Sequence, residues 1–192
     1  MTDGRIGRGG GLALPPYPFR RSGPCVVAGN AWTLMADLER ARAAVGDVPV
    51  IAVNGAAKSV KALALFSFHP ERFETGYRWA ELQRMAWGGG FEIHAAKRVE
   101  GCPTVDYWWE DARGGGGSAW GARKAAWLMG FDPVILCGTP LEVGNYADGS
   151  IAKLMHDDRN LAAYRDWIAA DTDWHEGCIG TGGWTGRFFG SL

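Results

Sequence analysis

Short runs of consecutive apolar residues, each closed by glycine, asparagine or histidine, restrict the fold of this chain more than any other feature. Cys25-Val26-Val27-Ala28 runs into Gly29-Asn30, Val48 to Val53 ends at Asn54-Gly55, and Ala62 to Phe68 ends at His69-Pro70. A fourth, Pro133 to Cys137, ends at Gly138-Thr139-Pro140. Strands that are apolar on every residue have both faces covered, as in a parallel sheet. Parallel neighbours need crossovers, which are normally right-handed helices. Helical patterns do lie between the runs. Trp32, Met35, Leu38 and Val45 share one face of the first, opposite Asp37, Glu39, Arg40 and Arg42. Glu71 to Trp87 reads as a second helix, along Phe73, Tyr77, Ala80 or Glu81, and Arg84, stopped by Gly88-Gly89-Gly90. Phe91 to Ala95 alternates like a strand, Thr104 to Trp108 reads as another, a helix runs to Met129, and a last helix starts at Asp157 with Leu161, Tyr164 and Ile168. Trp174 to Leu192 has no readable period.

The expectation is a three-layer α/β/α, Rossmann-like domain with a mostly parallel sheet over residues 23–192. An extended arm over 1–22 precedes it, carrying Arg5, Arg8, Arg20 and Arg21 around a Leu12 to Pro18 segment that cannot fold alone. With 20 Lys+Arg against 21 Asp+Glu the formal charge is −1, which excludes a generally basic nucleic-acid coat. No run reaches the roughly 18 apolar residues of a membrane span, and the opening MTDGRIGRGGG lacks a signal peptide's apolar stretch, so a cytoplasmic setting is expected. Cys25, Cys102, Cys137 and Cys178 are widely spaced with no zinc-type pattern, and read as reduced thiols.

In open α/β sheets ligands sit beyond the carboxyl ends of the strands. The residues there are Gly29, Asn30, Asn54, His69, Gly116, Gly117, Ser118 and Thr139. The four glycines Gly114 to Gly117 precede a helix and carry no Cβ to hold a ligand off the backbone, while the helix start offers unpaired N–H groups. Phosphate is the natural occupant, with Ser118 either capping the helix or touching it; a flexible loop with a cap serine is the competing reading, since the P-loop order is absent. Along that helix Ala119, Ala122, Ala125, Ala126 and Met129 fall on one side and Trp120, Arg123, Lys124 and Trp127 on the other. The second side is too apolar for plain surface, so the tail, the arm or another subunit covers it. His156 and His175, beside Asp157-Asp158 and Glu176, are candidate general bases. Asp106, Glu110 and Asp111 form either a divalent-cation site or a solvated turn.

The segment Val27-Ala28-Gly29-Asn30-Ala31-Trp32-Thr33-Leu34 resembles the opening strand and G-N-G-P-S-L turn of a Rossmann-like group. That group contains the bacterial CMP-sialic-acid-dependent sialyltransferases and the 6-hydroxymethylpterin diphosphokinase-like domains, some of them phage-encoded. Gly117-Ser118-Ala119, the Ala-rich helix, Met129-Gly130-Phe131 and Val134 to Gly138 are similar to its second signature, so the likeness covers about residues 25 to 146. It departs at Ala31 and Trp32, which replace Gly-Pro, and at Pro140, which stands in place of an acidic residue. The resemblance implies binding of a nucleotide or nucleotide-sugar, with Gly29, Asn30, Asn54 and Ser118 as its contacts.

The leading expectation is a glycosyltransferase-like transferase that needs no metal ion, taking a small-molecule nucleotide ligand and forming a homo-oligomer. One alternative is a non-catalytic nucleotide binder of phage or mobile-element type, with an oligomer interface on the Trp120/Trp127 face. The other is a Mg²⁺-dependent diphosphokinase, which would need an acidic pair such as Asp106 and Asp111.

Overall fold

A computed structural model describes residues 17–73, 75, 77–97, 105–150 and 158–192. Most of the arm, the beginning of the run at Thr104, Cys102, His156 and Asp157 lie outside the described residues. The sheet has seven strands, all parallel, in the order β5-β4-β3-β2-β1-β6-β7. They are β1 Cys25–Ala28, β2 Val50–Val53, β3 Ala64–Ser67, β4 Glu92–Ala95, β5 Tyr107–Trp108, β6 Val134–Cys137 and β7 Cys178–Gly180. The helices are α1 Leu34–Val45, α2 Trp79–Trp87, α3 Gly117–Met129, α4 Asp158–Ala170 and α5 Gly183–Phe189. No helix among the described residues is long and apolar enough to cross a membrane.

Alternate residues of the same strands feed two cores, one on each face of the sheet. Val27, Ile51, Val53 and Phe66 pack with α3 and with Ile168 of α4. Val26, Ala28, Ala52, Leu65 and Ile135 pack with Leu34 and Ala41 of α1 and with Trp79 and Ala80 of α2. This makes the α/β/α layering and explains why the runs are apolar throughout. Each buried valine, leucine or isoleucine contributes about 1.5–3 kcal/mol by leaving water.

Two local expectations are corrected, and the tail, which carried none, gains structure. In α1 the buried residues are Leu34, Asp37 and Ala41, whereas Trp32 and Met35 are exposed. Asp37 is tolerated inside because its Oδ2 accepts hydrogen bonds from the Gly138 N–H and the Thr33 hydroxyl, both at 2.8 Å, while Oδ1 meets Arg40. Glu71 to Trp87 is not one helix. A single 3₁₀ turn at Pro70–Arg72 is followed by a break at Arg78, whose φ of 53° is left-handed, and α2 starts only at Trp79. The tail contains β7 and α5, neither of which has a legible period.

On the polar and aromatic side of α3 the chain's own tail covers Trp120, Arg123 and Lys124, while Trp127 stays half-buried. The Trp120 indole donates to Asp171 Oδ2 at 2.8 Å and stacks on Phe189, Lys124 pairs with Asp171 under Trp174, and Arg123 reaches the Glu176 carbonyl. The end of the arm is held down at two places, on β4 and at the end of α3. The Tyr17 hydroxyl donates to Glu92 Oε2 at 2.8 Å, and the Arg21 N–H donates to the Met129 carbonyl.

Candidate functional site

The chain lays β2 to β5 outward on one side of β1 and then returns to place β6 on the other, so β1 and β6 flank the point where the strand order reverses. A crevice opens there, at the carboxyl ends of the strands. The cleft has a volume of about 580 Å³ and its walls include Gly29, Asn30, Asn54, Gly116, Gly117, Ser118 and Thr139, contributed by four separate segments.

Its floor is the β1–β6 contact. The Gly29 N–H donates to the Cys137 carbonyl at 2.8 Å and the Ala31 N–H to that of Gly138 at 3.1 Å. A Cβ on Gly29 would lie 2.5 Å from the Gly138 carbonyl oxygen, and one on Gly138 would lie 2.5 Å from that of Gly29. These glycines are required by backbone approach to each other. Thr139 is buried beside them, its carbonyl taking the Thr185 hydroxyl at 3.0 Å, and its own Oγ1 has no partner among the described residues.

One wall is the start of α3. The helix begins after Gly116, which is left-handed, and no side chain caps it. Its first N–H groups are those that no helical turn can pair, and they carry about half a positive charge. Ser118 is therefore not a cap. Its Oγ accepts the Phe68 N–H at 3.3 Å, which ties the end of β3 to the helix start. The glycine run has a different cause from ligand approach at two positions. A Cβ on Gly115 would meet Trp167 at 2.3 Å, and one on Gly116 would meet Ile168 at 2.7 Å, so α4 packing demands both. Gly117 faces more open space, since a Cβ there would come no nearer than 3.9 Å to Tyr164, and its φ of 76° favours glycine.

The other wall carries polar groups in a chain. Asn54, itself at φ 52°, accepts the Ser67 hydroxyl at 2.7 Å, and Ser67 Oγ accepts the His69 N–H at 2.8 Å. His69 lines the cleft, with Nδ1 3.3 Å from Glu71 Oε1. The cations Lys58 and Arg72 line it too, Lys58 lying 3.4 Å from Asp148. Hydrogen bonds from the Ser150 hydroxyl and N–H hold the Asp148 carboxyl below its ordinary range, and Lys58 acts in the same direction. Burial raises the Tyr146 phenol, as do nearby Tyr77, Asp148 and Tyr164, so Tyr146 faces the cleft as a protonated hydroxyl. Tyr77, exposed at the mouth, stacks on buried Trp79 with ring centres 5.4 Å apart.

His175 does not join this group. Its Nε2 is 2.7 Å from the Ile168 carbonyl and its ring packs edge-on to Trp120, Phe188 and Phe189, so the structure does not bring His175 together with the other candidate residues in the cleft. His94 is buried at the far edge, where Nδ1 accepts the Trp109 indole N–H at 2.9 Å and Nε2 lies 3.0 Å from Glu92. Asp106, Glu110 and Asp111 are not cleft residues. Asp106 accepts the Ile93 N–H at 2.7 Å and Glu110 pairs with Arg113. Among the described residues no group of three or more His, Cys, Asp or Glu side chains converges as a metal site would. Sequence reasoning missed Lys58, Arg72 and the three tyrosines, because none follows an apolar run directly. No protein-family model matches the chain, and no curated protein matches it, so the chemistry of the cleft is read from its geometry.

Proposed function

We propose that the cleft binds a nucleotide or nucleotide-sugar and that the protein is a glycosyltransferase-like enzyme. One observation carries the reading: the uncapped start of α3 and the ends of β1, β2 and β6 converge on a single hollow at the switch point of the sheet. A phosphate against the Gly117 and Ser118 N–H groups meets the positive end of the helix, and Lys58 and Arg72 supply the full charges. The Asn30 and Asn54 side-chain amides and the Thr139 hydroxyl remain for polar recognition, and the tyrosine-lined mouth suits a base or sugar ring. In transfer, the negative charge that grows on the departing phosphate is stabilised by the same helix terminus and cations, a role a metal ion fills elsewhere. The buried free thiols of Cys25, Cys137 and Cys178 suit a reducing, cytoplasmic setting. Self-association into a homo-oligomer belongs to the same reading, and the exposed apolar side chains open to it include Trp32, Met35, Met85, Trp87 and Trp167.

Titration of the protein with CMP, UDP and ADP tests the reading. A ligand that binds only the folded state raises the melting temperature progressively, by about 2.7 kcal/mol of stabilisation at a hundred times Kd. Lys58→Ala should weaken the response. No shift with any of the three at millimolar concentration refutes the proposal, and tight binding with no turnover of the corresponding nucleotide-sugars turns it into a binder without chemistry.

A further inference from the structure

We infer that His69 is the general base of the cleft, oriented by Glu71; this rests on the transferase reading above. His69 is the one histidine among the described residues that lines the cleft. Its position is fixed twice over. Its own N–H donates to Ser67 Oγ, which in turn donates to Asn54, and the preceding residue, Phe68, donates its N–H to Ser118 at the start of α3. The imidazole therefore stands one residue from the strut that joins β3 to the phosphate-binding terminus.

The ring has the polarity a base requires. Nδ1 lies 3.3 Å from Glu71 Oε1, so the carboxylate favours the tautomer with the proton on Nδ1 and leaves the Nε2 lone pair available. No hydrogen bond to Nε2 is made by any described residue, and the side chain is 44 % exposed, so a substrate hydroxyl can reach it. Arg72 lies 3.9 Å from the same Glu71 oxygen and helps hold that carboxylate in place. Glu71 touches His69 rather than the reacting atoms and is a positioning residue.

In the step assigned to it, Nε2 takes the proton of the acceptor hydroxyl as that oxygen bonds to the sugar carbon. The bond from that carbon to the donor's phosphate oxygen breaks, and its electron pair leaves with the nucleotide at the α3 terminus. The imidazolium then loses its proton to water. Atoms and charge balance without a redox partner.

The test uses the full chain with a panel of CMP-, UDP- and ADP-linked sugars, water serving as acceptor. Donor binding is followed by calorimetry and nucleotide release by chromatography. His69→Gln should bind the donor within about threefold of wild type, keep its melting temperature, and release nucleotide about 100-fold or more slowly, the usual scale of a lost general base. Glu71→Gln should lower kcat with KM unchanged. Release by His69→Gln at the wild-type rate, or wild-type binding with no release at any pH, overturns the assignment while leaving nucleotide binding intact. Absence of wild-type binding to every donor defeats the nucleotide reading and the base with it.

Discussion

Replacing Asp37 with alanine separates a surface helix carboxylate from a structural one. The side chain is 2 % exposed and its two oxygens hold three partners: the Gly138 N–H and Thr33 hydroxyl at 2.8 Å each, and Arg40 at 2.5 Å. Hydrogen bonds to a charged group contribute about 1.5–3 kcal/mol each. The Arg40 pair adds less, because that guanidinium is 54 % exposed and screened by solvent. Alanine also leaves the Gly138 N–H without an acceptor. The expected loss is about 3–5 kcal/mol, the range for removing one partner from a buried charge pair. For a chain of this size that is a fall in melting temperature of about 6–20 °C. Asp37→Asn keeps an acceptor oxygen for Gly138 and should lose about half as much, whereas Thr33→Ala should lose only about 1 kcal/mol. Urea denaturation of the three variants measures the differences directly. An Asp37→Ala protein within about 1 kcal/mol of wild type would show that the β6 loop is not held by this carboxylate.

Three further perturbations reach other parts of the molecule. Burial alone would raise the Glu92 carboxyl, but hydrogen bonds from His94 and Tyr17 outweigh it and hold the group below its ordinary range. Its contribution is therefore present above the unfolded value of about 4.3 and lost as the pH falls through the folded one; Glu92→Gln should cost about 1 kcal/mol at pH 7 and nothing near pH 2, read from denaturation midpoints. Burial pushes the Cys178 thiol up to about 11 and Cys137 up to about 12, and raises Cys25 as well. At pH 8 all three should resist a thiol reagent until the protein is unfolded, and rapid native labelling of any of them would contradict the packing. Gly115→Ala should destabilise by about 1–3 kcal/mol through its clash with Trp167, and a neutral result by calorimetry would show that α4 does not press on the glycine run.

The layering is legible because a doubly covered parallel strand leaves an uninterrupted apolar run, and β1, β2, β3 and β6 each do so. β7 escapes because Cys178-Ile179-Gly180 is too short and too rich in glycine to stand out. Helical periodicity misplaces Asp37 because its partner, Gly138, is 101 residues away, and a period reports only neighbours along one helix. The break at Arg78 is invisible for a related reason: nothing in the residue type announces a left-handed backbone there. At the cleft, the positions after each apolar run are readable from strand ends alone, whereas Lys58 arrives at the end of a 3₁₀ turn, Tyr77 and Tyr146 through loops, and Tyr164 on α4. Gly115 and Gly116 look like ligand glycines in sequence, but Trp167 and Ile168, some fifty positions further on, are what they make room for. Nothing in the sequence around His175 shows that its ring lies among Trp120, Phe188 and Phe189 and away from the cleft walls.

The reciprocal contact of Gly29 and Gly138 limits how this pocket can be re-engineered. Because the methyl group missing from either would land on the oxygen of the other, shrinking one cannot compensate for enlarging its opposite number, and every stepwise path through the pair opens with a collision. A library that randomises both positions at once should return glycine at each. New ligand preferences must therefore be sought around the rim, at Tyr77 or Tyr146, above a base that admits no variation.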